Sequence, residues 1–121
     1  YVYASNIFGP DSLRFGLANV SWLTGTAAWM YVAVSQYILG VRAVYEGLVV
    51  DPCLPSAWKQ VHVTRKFREA VYEISMERGE ENSLTVDGRA LEGRLIPYHE
   101  FGAGRHEVKL VTGPDSVRRN W

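Results

Sequence analysis

At 121 residues, 47% of them hydrophobic and 21% charged, the chain has the make-up of one folded globular domain and not of a disordered segment. Thirteen basic residues balance thirteen acidic ones, so no overall field favours nucleic acid or an anionic membrane, and any anion site has to be local. A single cysteine, Cys53, excludes an intrachain disulfide and makes a reducing, cytoplasmic setting the simpler expectation.

The chain opens on Tyr1 with neither a basic leader nor a small-residue cleavage site, and reads as starting mid-sequence. Residues 1–8 mix aromatic and small side chains over too short a span for a period, and suit either the end of a helix or a strand. Gly9-Pro10-Asp11-Ser12 then breaks the chain, and the stretch to Val20 reads as a loop.

From about Thr24 to Leu39 the pattern is helical. Ala27 to Leu39 is apolar but for Ser35 and Gln36, so no solvated face can be drawn, and burial on most sides is expected, against the β region or partners outside the chain. The run falls short of the roughly 20 residues a membrane crossing needs. Ser21, Thr24 and Thr26 put hydroxyls at the helix start, and Gly25 permits close approach to the backbone. Such a start suits an ordinary N-cap, the commoner use, or a local anion site, because the free N–H groups and the helix dipole both point outward. Gly40 follows as a C-cap residue.

The period then becomes that of strands. Leu48-Val49-Val50 is short and apolar, and Asp51-Pro52-Cys53-Leu54-Pro55 is a rigid connection in which two prolines forbid a helix. Trp58 is placed to plug a sheet edge. Val61, Val63 and Arg65 alternate with His62, Thr64 and Lys66, and Tyr72, Ile74 and Met76 share a face between Ala70 and Glu77, so the two runs form an antiparallel hairpin. Leu84-Thr85-Val86 leads into the turn Asp87-Gly88, and Glu107–Thr112 closes the set with Val108 and Leu110 on one side. Short strands at close intervals predict a β-sandwich, so the chain is read as α+β.

Other chemistry-bearing residues give weaker signals. His62, His99 and His106 have no metal-ligand spacing with Cys53 or each other, so no metal site is expected. Asp11, Glu46 and Asp51 sit near turns and caps, where carboxylates usually serve the backbone. Arg65, Lys66, Arg68, Arg78, Arg89, Arg94 and Arg105 are interspersed with acids and read as a solvated sheet face.

Four motifs in this order and spacing carry a resemblance: Ser5-Asn6-Ile7-Phe8-Gly9-Pro10-Asp11, then Trp22-Leu23-Thr24-Gly25-Thr26-Ala27-Ala28-Trp29-Met30-Tyr31, then Tyr37-Ile38-Leu39-Gly40-Val41-Arg42, then Gly47-Leu48-Val49-Val50-Asp51-Pro52-Cys53-Leu54-Pro55. Together they resemble the C-terminal end of family 94 glycoside phosphorylases, which include cellobiose and chitobiose phosphorylases. The likeness continues through Val63-Thr64-Arg65-Lys66-Phe67-Arg68 and Val86-Asp87-Gly88. It departs at Ser12-Leu13, where His-Pro is common, and at Glu69, where the hairpin usually has glycine.

The resemblance implies that residues 1–46 are the end of an (α/α)6 catalytic barrel, with its phosphate-binding loop and last helix, and that residues 47–121 are a C-terminal antiparallel β-sandwich. It implies inverting phosphorolysis of a β-glucosidic disaccharide or oligosaccharide to an α-sugar 1-phosphate by a homodimeric glycosyltransferase-type enzyme. Inorganic phosphate is then a substrate and no cofactor is needed. Thr24 and Gly25 fall on the family's phosphate-binding pair; Ser5 and Asn6 fall where the family approaches the donor sugar. The general acid, with an arginine and a histidine that also hold phosphate, is expected upstream of residue 1, so the segment alone is expected to be inactive. Two other readings stand beside this one. The phosphorylase-like domain of a cyclic β-1,2-glucan synthase shares the motifs. A non-catalytic carbohydrate-binding sandwich would need a row of exposed aromatics; Trp58, Phe67, Tyr72, Tyr98 and Phe101 are available, but their spacing forms no obvious platform.

Overall fold

The computed structural model describes residues 4–21 and 25–113. The chain divides into two compact units, Tyr1–Val34 and Ser35–Trp121. The first unit begins with a hairpin of β1 (Ala4–Ile7) and β2 (Ala18–Ser21), paired antiparallel with Asn6 opposite Asn19. The expected loop after Gly9 is therefore shorter than predicted and ends in a strand. Its residues fold as successive tight turns, Ser12 N–H to Gly9 O at 3.1 Å, Phe15 N–H to Ser12 O at 3.0 Å and Leu17 N–H to Arg14 O at 2.9 Å, closed by Gly16 N–H to Phe8 O at 3.0 Å.

The helix is α1 (Thr26–Val32), continued as a π-helical stretch over Ala33–Ile38. Among the described residues the side chains of this helix are half-buried to exposed. None of its side chains is buried, and Trp29, Tyr31 and Tyr37 are 74%, 63% and 55% exposed. Cover among the described residues is partial: several of its side chains are half-buried, and the Arg42 guanidinium lies 5.6 Å from the Tyr37 ring centroid.

The second unit holds two sheets. One has three strands in the order β3 (Val41–Ala43), β4 (Gly47–Val50), β9 (Leu95–Pro97). The other has five, in the order β5 (Gln60–Phe67), β6 (Ala70–Arg78), β10 (Gly104–Thr112), β7 (Ser83–Val86), β8 (Arg89–Leu91). A four-residue helix, α2 (Tyr98–Phe101), follows β9. Pairing is antiparallel except between β6 and β10, which run parallel from Gly104 opposite Ala70 to Thr112 opposite Arg78. That pair corrects the expectation of a wholly antiparallel sandwich. It arises because β7, β8 and β9 are inserted between β6 and β10, so the chain returns to start alongside the same end of β6.

Both sheets contribute to one core. The period of two puts Tyr72, Ile74 and Met76 of β6, Leu84 and Val86 of β7, and Val108 and Leu110 of β10 inward, where they meet Leu48, Val50 and Ile96. Full burial of such side chains contributes about 1.5–3 kcal/mol each, so these residues dominate the stability of the unit.

Gly40 joins the π-helical stretch to β3 at φ +69°, and a Cβ there would overlap the Asp51 carbonyl. The junction is closed by Asp51 N–H to Gly40 O and Cys53 N–H to Ile38 O, both 2.9 Å. Only glycine meets both demands, a left-handed φ and this close approach.

Two turns set the register of the larger sheet. Asp87 and Gly88, at φ +51° and +82°, form the two-residue turn with positive φ at both positions that suits twisted strands. In the β5–β6 hairpin the positive φ, +54°, falls on Arg68 and not on Glu69. The unusual Glu69 is thus tolerated, and the strain sits on the residue before it.

Candidate functional site

The sequence points to the helix start and to β1. Gly25 is the N-cap of α1, at φ −70° and ψ 13°, exposed, and as glycine it brings no capping side chain of its own. Its carbonyl accepts the Trp29 N–H at 2.9 Å. With φ in the ordinary region, glycine serves here for space and not for handedness: a Cβ would come to 3.3 Å from Trp29 Cδ1. One side of the lip is therefore occupied by the indole edge. No acidic residue lies in its first turn. Thr24 lies outside the described residues.

Ser5 and Asn6 lie exposed on β1. Pairing places Ala4 opposite Ser21, the last residue of β2, and the chain from Ser21 leads within four residues to Gly25. The hairpin thus brings the start of β1 next to the strand end that feeds the helix. Just before it, Val20 holds φ +51°, a conformation in which a β-branched side chain is strained by roughly 1–3 kcal/mol. Asn19 Oδ1 accepts the Val20 N–H at 2.8 Å. Nothing in the pattern of the sequence announces this bend, because valine is the residue least expected to make it.

The remaining candidates resolve differently. The aromatic row considered for a sugar platform does not form: Tyr72 is in the core, and Phe67 stands edge-on to Tyr98 at 6.0 Å between ring centroids. Among the described residues no cluster of three or more His, Cys, Asp or Glu could hold a metal ion, and no helix is long and apolar enough to cross a membrane.

His106 is buried, with Nδ1 2.8 Å from Asp87 Oδ2 and Nε2 3.3 Å from the Gly102 carbonyl. Asp87 Oδ1 also accepts the Glu107 N–H at 2.8 Å. The hydrogen bond from His106 is the main cause holding the Asp87 carboxyl below its usual range. This arrangement ties the Asp-Gly turn to β10 and is structural.

The arginines are not uniformly solvated. Arg78 donates from Nη2 to the carbonyls of Leu54, at 2.9 Å, and Pro55, at 3.3 Å, and pins the proline-rich connection. Arg94 donates to Asn82 Oδ1 at 2.8 Å and lies 4.0 Å from Asp51. Both were hidden from sequence reasoning because their partners are distant in the chain.

Residues 1–40 match the model of the Glycosyl hydrolase 94 superfamily, catalytic domain. With the relatives that cover most of its length, this places the chain in the glycosyl hydrolase 94 family. It is 44% identical over 118 residues to N,N'-diacetylchitobiose phosphorylase of Vibrio proteolyticus, a match covering 93% of the chain and 14% of that protein. It is 33% identical over 116 residues to solabiose phosphorylase of Paenibacillus borealis, covering 91% of the chain and 15% of the relative. A further relative, the cyclic beta-(1,2)-glucan synthase NdvB of Rhizobium meliloti, is 33% identical over 86 residues, which are 71% of the chain and 3% of that protein. The chain thus spans about a seventh of the length of the phosphorylases it matches.

Proposed function

We propose that this chain is the C-terminal segment of an inverting glycoside phosphorylase that cleaves a β-linked, cellobiose-like disaccharide with inorganic phosphate and releases an α-sugar 1-phosphate. The observation that carries the reading is the run of likeness to disaccharide phosphorylases along nearly the whole chain, through both the helix start and the sandwich. Residues 1–46 would complete an (α/α)6 barrel whose remaining helices cover Trp29, Tyr31 and Tyr37; their exposure supports a missing neighbour. Residues 47–121 would form the C-terminal domain of a cytoplasmic homodimer.

In this reading the Thr24 hydroxyl and the Gly25 N–H donate to phosphate oxygens at the helix start, which favours negative charge. Ser5 and Asn6 approach the donor sugar from β1. Inversion needs one acid to protonate the leaving oxygen while phosphate attacks the opposite face of the ring. Phosphate arrives already charged, so no general base is required. The acid lies upstream of residue 1, and the segment alone releases no product.

The test is Thr24→Ala in the complete enzyme. A hydrogen bond to a charged group contributes about 1.5–3 kcal/mol, so KM for phosphate should rise about 10- to 100-fold. An unchanged phosphate dependence would remove Thr24 from the site. The likeness to the glucan synthase favours a second reading, in which the same fold is the phosphorylase-like domain of a much longer synthase. The length of the complete protein separates the two.

A further inference from the structure

We infer that the three-stranded side of the sandwich carries a sugar-binding groove of its own, built on Tyr45. The groove has a volume of about 440 Å³, within the range of small-molecule sites. Leu95, Pro97 and Tyr98 supply its apolar lining, and Tyr45, 88% exposed as a residue, stands beside them. Glu46, Arg68 and His99 add a carboxylate, a guanidinium and an imidazole at the same groove. An exposed aromatic ring flanked by planar hydrogen-bonding groups matches a pyranose, which offers C–H faces for stacking and hydroxyls around its rim.

What marks the groove as prebuilt is the way Tyr45 is held. Arg68 Nη2 donates to the Tyr45 carbonyl at 2.7 Å. The same guanidinium stacks over Tyr98 at 4.7 Å and Phe67 at 4.9 Å from the ring centroids. The Tyr98 N–H donates to the Glu46 carbonyl at 2.9 Å, and at Gly47 a Cβ would overlap the Ile96 carbonyl, so the turn is clamped on both flanks. The turn carrying Tyr45 is thus ordered without help from the tyrosine ring, which stands exposed along the groove among the described residues. Fixing such a turn in advance lowers the entropic cost of binding. The ligand class is a β-linked glucoside or N-acetylglucosaminide; the inference rests on the proposed function only in that choice.

The experiment is a titration of the 121-residue chain and of the complete protein with cellobiose and N,N'-diacetylchitobiose, read by isotope-edited NMR. Saturable shifts centred on Tyr45, Glu46 and His99 are expected in both. Tyr45→Ala should weaken binding about tenfold, the loss of one ring stack, while leaving the melting temperature unchanged because the side chain is exposed. His99→Ala, on a side chain also outside the core, should weaken it less. Shifts centred elsewhere, no saturation, equal affinity in Tyr45→Ala, or binding by the short chain alone would each overturn the proposal, the last by showing the groove to be covered in the complete protein. Phosphorolysis is assayed separately: a complete protein that binds sugar at Tyr45 but releases no sugar phosphate overturns the proposed function and leaves the groove standing.

Discussion

Arg68 donates to the backbone carbonyl of Tyr45, 23 positions earlier in the chain, across 2.7 Å. It does so from a left-handed backbone, φ +54°, in the middle of the β5–β6 hairpin. A non-glycine residue in that region costs roughly 1–3 kcal/mol unless its side chain earns it back in contacts, and here the side chain is stacked on two rings as well as bonded. The hairpin turn and the β3–β4 turn are therefore coupled through one guanidinium.

Arg68→Gly and Arg68→Ala separate the two effects. Glycine relieves the backbone strain but loses the bond and the stacking; alanine loses both and keeps the strain. Thermal unfolding should show both variants less stable than the parent, with alanine lower than glycine by about 1 kcal/mol. Equal stability of alanine and parent would mean that the Tyr45 bond contributes nothing.

Gly40→Ala tests the junction between helix and sandwich. The added Cβ meets the Asp51 carbonyl and forces a left-handed alanine, so a loss of more than about 2 kcal/mol is expected, read as a shift in denaturant midpoint. An unshifted midpoint would show that the junction can move aside.

The link between Asp87 and His106 predicts a pH dependence. Asp87 has its carboxyl lowered in the folded state, chiefly by the His106 hydrogen bond, while in the unfolded chain it titrates near the ordinary value of about 3.9. The stabilisation is therefore fully present above that value and is lost as pH falls through the lower folded value. Asp87→Asn should lower the melting temperature near neutrality, and the gap to the parent should close under acid. A gap that stays constant from neutral pH into strong acid would sink the assignment. Asparagine keeps one acceptor oxygen for two donors, the His106 ring and the Glu107 N–H, so one bond is lost at a cost of roughly 1–3 kcal/mol.

The sandwich was legible in the sequence because its core strands alternate cleanly: Tyr72-Ile74-Met76 and Val108-Leu110 face inward as their spacing predicts. The Asp87-Gly88 turn was equally plain, since that pair favours positive φ. The parallel pairing of β6 with β10 was not, because register between strands distant in the chain leaves no local trace. The apolar run Ala27–Leu39 could be read as needing partners, in the β region or outside the chain, but not which of the two; Trp29 and Tyr31 stand exposed among the described residues. At the candidate site the hydroxyl and glycine pattern around Gly25 could be read. The Val20 bend and the Trp29 edge beside Gly25 could not.

The central claim is phosphate-dependent cleavage by the complete protein, and its most direct measurement is NMR of the products formed from cellobiose or N,N'-diacetylchitobiose with and without inorganic phosphate. The account predicts an α-configured sugar 1-phosphate when phosphate is present and no cleavage when it is withheld. Free sugars formed equally well without phosphate would contradict it.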